Sequence, residues 1–351
     1  MKKLIILMIA VIIGSNACKN FDVEYNDYKY STAYFGYQFP VRILILGDYI
    51  YDNSNDNAHK FVISAHLGGV IDNKTDRKFS IEVDESLCNG VVFATGDPVV
   101  AMPASWYTLS SSSELIIPKG RQDGGIEVQL TEAFFADPNS IRNTYAVPIR
   151  LKGSNDVDSI LSGRKDNAYP NPDPRLAEQW VVSPKDFVMF VVKYINEYEA
   201  SYLKYGTSTV SQAGGTTETT TYKEKWVERN DVVKLRTTGR NTVEGEFSLQ
   251  SGIMTGNVLL TLDFNGVHNG KNNCTVTGVG LGNTNYSVTG TGTFKTFDTE
   301  YDNFGQKIRQ GMTINYTVTD GNTGDTYTAE ETLVVRSRDV VLETYSVRPT
   351  P

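Results

Sequence analysis

Cysteine is scarce in this chain. Three residues, Cys18, Cys88 and Cys274, are spread over 351 positions, which excludes a disulfide-scaffolded fold and the paired spacings of a zinc or redox motif. Histidine is equally scarce: of His59, His66 and His268, no two stand at ligand spacing with a cysteine or carboxylate, so no metal site is expected. Basic clusters are missing too. With a formal charge of −8, the surface has little to offer a phosphate backbone, and nucleic acid is not an expected partner. No apolar run reaches the ~20 residues of a membrane-spanning helix. No Gly-x-Ser-x-Gly elbow or Ser/His/Asp constellation assembles, so the chain reads as non-catalytic and without a cofactor.

What is present begins with an address. Lys2 and Lys3 precede an apolar run over residues 4–13, and Gly14, Ser15, Asn16 and Ala17 lead to Cys18. This reads as a signal peptide over 1–17 whose cleavage exposes a lipid-acceptor cysteine, with Ser15 where such motifs usually carry leucine; the competing reading makes Cys18 an ordinary residue after a signal-peptidase cut behind Ala17. Its loss, with Lys2 and Lys3, takes the charge from −8 to −10. Residues 18–32 then form a polar, lipidated tether rich in tyrosine and acid, and the protein is expected to sit on a membrane through that anchor. With Cys18 acylated, Cys88 and Cys274 read as two separate free thiols.

The remainder is rich in tyrosine, threonine, valine and glycine, with short apolar runs divided by turn residues, which is how an all-β chain reads. Residues 33–153 carry about seven candidate strands, an immunoglobulin-like sandwich count. One of them, at 77–84, alternates Phe79, Ile81 and Val83 with Lys78, Ser80, Glu82 and Asp84. The loop at 48–57 spaces Asp52, Ser54 and Asp56 like a cation loop but has Asn57 and Ile63 where glycine and glutamate are required, so it reads as an Asx-rich turn. Residues 154–185, with Pro170, Pro172, Pro174 and Pro184, read as a linker. A second domain is expected over 186–351, its alternating segments closing into an antiparallel barrel, with 207–221 a mobile loop. Residues 220–229 read as a two-faced strand. Tyr222, Glu224, Trp226 and Glu228 stand on one side, Lys223, Lys225, Val227 and Arg229 on the other. Aromatic faces interleaved with carboxylates are the parts a sugar site needs, and filling of the barrel interior is the competing use.

With these residues in view, the chain resembles a lipoprotein family of the Bacteroidetes whose amino-terminal module is the domain of unknown function 1735. The likeness rests on Tyr34-Phe35-Gly36-Tyr37-Gln38-Phe39-Pro40, Leu67-Gly68-Gly69-Val70, Val128-Gln129-Leu130-Thr131-Glu132-Ala133-Phe134-Phe135 and Asp158-Ser159-Ile160-Leu161-Ser162-Gly163. The second half resembles the lipocalin-like domain that often follows it, through Val192-Lys193-Tyr194-Ile195-Asn196, Tyr202-Leu203-Lys204-Tyr205-Gly206 and Thr237-Thr238-Gly239-Arg240-Asn241. The resemblance implies an outer-membrane lipoprotein facing the cell surface and binding glycan, with polysaccharide and Sus-like transporter components as partners. Asp158-Ser159-Ile160 fits the acidic-serine-aliphatic pattern such bacteria glycosylate, at Ser159. The competing readings are an adhesion or structural subunit that contacts protein, and a glycosidase.

Overall fold

The computed structural model describes residues 27–265, 272–297, 299 and 301–350. The signal peptide, Cys18 with its lipidation, and His268 lie outside the described residues.

The chain is nearly all β, a sandwich followed by a closed antiparallel barrel. In one sandwich sheet Lys60–Gly68 and Asp123–Leu130 pair at the centre, flanked by Thr32–Tyr34 and Tyr107–Leu109. The facing sheet runs Pro40–Ile45, Phe187–Ile195, Tyr145–Gly153, Arg77–Val83, Glu114–Ile117. Phe35, Ile63, Phe79, Val128, Val147 and Val192 meet between them in one apolar core.

Phe187–Ile195 corrects the expected domain boundary. It lies inside the sandwich sheet, antiparallel to Tyr145–Gly153 and parallel to Pro40–Ile45. Its sequence, FVMFVVKYI, is apolar on both sides, as a strand buried on two faces must be. Val188 and Val192 enter the sandwich core, while Phe187, Met189 and Val191 pack outward on Leu87, Val91 and Phe93. The sandwich therefore runs to residue 195. The stretch 154–185 is not a free linker: Ser159–Ile160 adds to the sheet edge beside Thr32–Ala33, and Arg175 donates to the carbonyls of Leu87 at 2.8 Å and Asn89 at 2.6 Å. Nor does 340–347 belong to the barrel. Glu343–Thr344 pairs with Pro40 and Val41, and Val347–Pro349 with Val91–Phe93. Alternation identifies a strand without naming its neighbour, which is why the sequence misplaces all three.

The barrel's eight strands are Ala200–Ser211, Asp231–Gly239, Thr242–Ser248, Asn257–Asp263, Asn273–Leu281, Tyr286–Thr296, Gln310–Asp320 and Thr326–Ser337, the last closing onto the first. Ala200–Ser211 has two partners on its other edge, Asp231–Gly239 along its first half and Thr217–Tyr222 along its second. The expected mobile loop at 207–221 is thus largely a hairpin of paired strands. An eight-stranded barrel has room for filling side chains or one small ligand. Here Tyr202, Phe247, Leu260, Ile314, Tyr316 and Tyr327 fill it. Gly206 faces Glu331 across the closing seam, and a Cβ there would lie 2.2 Å from the Glu330 carbonyl oxygen, so only glycine allows that approach.

Candidate functional site

The four residues expected on one strand face are separated by the structure. The strand ends at Tyr222, and residues 223–230 leave the barrel wall before Asp231–Gly239 resumes it. Asn230 fastens this excursion: its Oδ1 accepts from the Glu224 N–H at 2.9 Å and its Nδ2 donates to the Val227 carbonyl at 2.9 Å. A 3-10 turn over Val227–Arg229 breaks the two-residue period. Glu224, Trp226 and Glu228 therefore share no face with Tyr222. Trp226 is 52% exposed, with Lys225 Nζ 5.2 Å from its ring centroid.

Tyr222 turns toward the barrel interior instead. Its hydroxyl donates to Glu331 Oε1 at 2.7 Å, and Lys204 Nζ reaches the same oxygen at 3.2 Å. Lys204 also sits 5.1 Å from the Tyr222 ring centroid and 5.9 Å from that of Phe247. Burial pushes the Glu331 carboxyl above its ordinary range, with Lys204 and Tyr222 pulling it back, and burial and the neighbouring carboxylate push the Tyr222 phenol up. This ion pair faces packed side chains and belongs to the barrel core. Ser159 also has a local role: half-buried in its short strand, it donates to the Ile160 carbonyl at 3.0 Å, while the adjacent Asp158 carboxylate accepts the Ser31 N–H and hydroxyl, each at 2.7 Å.

An open concave site does exist where sandwich and barrel meet. Arg338 builds its floor, donating from Nη1 to the carbonyls of Leu46 and Asp48, each at 3.1 Å, and from Nη2 to that of Asn196 at 2.6 Å. A fork with fixed donors suits this convergence of chain ends. Burial lowers the Arg338 pKa, opposed by nearby tyrosines and glutamates. Above it opens a cleft of about 910 Å³, walled by 48–51 of the sandwich, 305–310 of the barrel and the connecting segment 335–341. Tyr49 and Tyr51 form an edge-to-face pair with centroids 5.6 Å apart. Tyr51 is 69% exposed, Ile308 70% and Val341 66%. A second interdomain contact lies at His59, whose Nε2 is 3.1 Å from Arg240 Nη2 and whose Nδ1 is 3.3 Å from Glu132.

The 48–57 loop behaves as its Asx content predicts. Asp52 Oδ1 accepts the Ser54 N–H at 3.0 Å, Asn53 Nδ2 donates to the carbonyls of Ile45 at 2.7 Å and Gly47 at 2.6 Å, and buried Asp56 takes Arg42 and the Ile45 N–H. Sequence reasoning saw a turn here and missed a wall of the cleft. The available signal was Tyr49-Ile50-Tyr51, three large side chains inside a polar loop. Among the described residues, no three of His, Cys, Asp or Glu are grouped to hold a metal ion, and Cys88 and Cys274 are separate buried thiols.

Residues 27–158 match a family described as an N-terminal domain, and residues 197–339 match the domain of unknown function DUF5627, which places the second unit where the sandwich strand ends. No curated protein matches the chain. A crystal structure of a Bacteroides ovatus protein of unknown function superposes with a TM-score of 0.81 at 33% identity, covering 92% of this chain and 100% of that one. An auxiliary nutrient binding protein from Bacteroides thetaiotaomicron VPI-5482 gives 0.39 at 12% identity, over 87% and 95% of the two chains. A second Bacteroides ovatus protein of unknown function gives 0.38 at 12%, over 90% and 100%. At one-third identity over nearly its whole length, the chain belongs to the family of the first Bacteroides ovatus protein, with an N-terminal sandwich followed by a DUF5627 barrel.

Proposed function

We propose that this protein is a non-catalytic outer-membrane lipoprotein that binds glycan in the interdomain cleft, within a Sus-like uptake system. The observation that carries the reading is the cleft itself: about 910 Å³ at a domain junction, with the Tyr49–Tyr51 pair on one wall and Ile308 and Val341 exposed around it. Ligand sites favour such junctions and such volumes, and sugar rings lie flat on exposed aromatic faces. The resemblance to lipoproteins carrying the domain of unknown function 1735 supports the same reading.

The start of the described chain and the barrel lie at opposite ends of one sandwich strand. The described chain begins beside Gly69, whose carbonyl accepts the Tyr28 N–H at 3.0 Å. Lys60–Gly68 then spans the sandwich, and His59, at its opposite end, contacts the barrel. Nine residues at ~3.3 Å each set the two ends ~30 Å apart. A glycan array on the full chain, followed by titration of Tyr51→Ala with the best ligand, tests the reading. The expected result is affinity lower by about tenfold, ~1.4 kcal/mol, at an unchanged melting temperature. Unchanged affinity would remove the cleft from consideration.

A further inference from the structure

The cleft's charged side chains differ in whether they already hold a protein partner. Its three carboxylates are occupied: Asp48 accepts Gln310 Nε2 at 2.9 Å, Glu197 stands against the Tyr198 hydroxyl, and Asp339 accepts Ser201 Oγ with Lys234 Nζ 3.8 Å away. Burial alone would raise the Asp339 pKa, but its hydrogen bonds and the charges of Lys234 and Arg336 hold it below the ordinary range. Two of the cations are occupied as well. Arg338 holds three carbonyls, and Arg309 donates to the Phe304 carbonyl at 3.2 and 3.1 Å while lying 3.8 Å from the Phe304 ring centroid.

Lys307 and Arg336 are left. Both line the cleft and both are exposed; among the described residues neither side chain makes a hydrogen bond or an ion pair within 4 Å, and the Arg336 charge reaches the Asp339 carboxylate only from beyond that distance. On a chain of formal charge −8, the open bonding capacity of this site is cationic. One member is a guanidinium, whose planar fork matches a carboxylate or sulfate. The tyrosines supply faces for sugar rings, and these two residues supply charge.

We infer that the cleft selects an anionic oligosaccharide, with Lys307 and Arg336 receiving its carboxylate or sulfate groups. This rests on the glycan reading of the same cleft and adds the class of sugar.

The test uses three probes on the full chain by calorimetric titration: a uronic-acid tetrasaccharide, the same tetrasaccharide with its carboxyl groups reduced to hydroxymethyl, and a sulfated neutral-backbone tetrasaccharide. An anionic probe should bind at least about tenfold more tightly than the reduced one, the scale of one charge-assisted hydrogen bond. Whether the uronate or the sulfate binds more tightly identifies the anion. Lys307→Ala and Arg336→Ala should each remove about tenfold of the anionic affinity, leave affinity for the reduced probe unchanged, and flatten the salt dependence. Both positions are exposed, and unchanged melting temperatures will show that the variants fold. Equal affinity for charged and reduced probes, both lost in Tyr51→Ala, would overturn the anionic inference and leave the glycan reading standing. Anionic binding that survives Lys307→Ala and Arg336→Ala would overturn the assignment to these residues. Absence of binding by all three probes, together with a blank glycan array, would overturn both.

Discussion

The barrel interior and the interdomain cleft are built from the same residue types, tyrosine, lysine, arginine and acid, and put them to opposite uses. In the barrel, Lys204 and Tyr222 converge on one oxygen of Glu331, which is 2% exposed. In the cleft, Tyr51, Lys307 and Arg336 face solvent. A buried charge must find its partner inside the protein, because water cannot solvate it. An exposed one keeps its bonding capacity for whatever arrives. Composition is shared by the two regions; exposure separates them, and where burial is complete even Glu331 keeps one oxygen, Oε2, without a hydrogen-bond partner.

The sharpest way to break the comparison is Glu331→Ala. It strands the Lys204 ammonium in the barrel and should cost about 3–5 kcal/mol in denaturant unfolding. Replacing the whole pair, Lys204→Met with Glu331→Leu, should recover most of that loss, because apolar isosteres avoid the desolvation of both charges. A large loss that persists in the double variant would show that the ion pair carries more than packing. Arg338→Ala comes next, with about 2–4 kcal/mol expected from three carbonyls left without their donor. Faster proteolysis at the junction near residues 195–197 should accompany it. Trp226→Ala should change stability by less than about 1 kcal/mol, as an exposed side chain on an excursion. A large fall in melting temperature would return it to the barrel wall.

The smallest effect concerns pH. Burial and the Arg240 charge hold the His59 pKa below 6.5, against the pull of Glu132. Between the depressed folded value and 6.5, the unfolded chain binds the additional proton, so stability rises with pH across that window and is lost on acidification below 6.5. Glu331, with its raised pKa, contributes in the opposite sense and is common to wild type and variant. Melting temperatures from pH 7 to 5 should therefore fall more steeply in the wild type than in His59→Asn. Asparagine tolerates the positive φ of 59° at this position. Parallel curves would remove His59 from the acid response.

Much of the fold was legible because burial writes itself as a period. Phe79, Ile81 and Val83 alternate with polar neighbours in a strand with one wet face, and Arg77–Val83 is that strand. The segments at 242–249, 258–264 and 312–318 alternate in the same way and became barrel strands. The candidate site was far less legible. Tyr222, Glu224, Trp226 and Glu228 alternate just as regularly, yet Asn230 draws the chain into a loop after the first of them. A two-residue period specifies faces only while the backbone stays extended, and one side-chain hydrogen-bond pair ended that here. The cleft left almost no trace, since its walls come from positions near 50, 307 and 338.

By itself the sequence determined the β class, the presence of two units and the chemistry of the Asx-rich loop, all properties of short windows of chain. Tertiary structure alone decided that Phe187–Ile195 belongs to the sandwich, that the end of the chain returns to it, and which charges remain open. Those outcomes depend on which distant segment supplies the partner. Local periodicity is indifferent to that choice, whereas Arg338 fixes it through carbonyls at 46, 48 and 196.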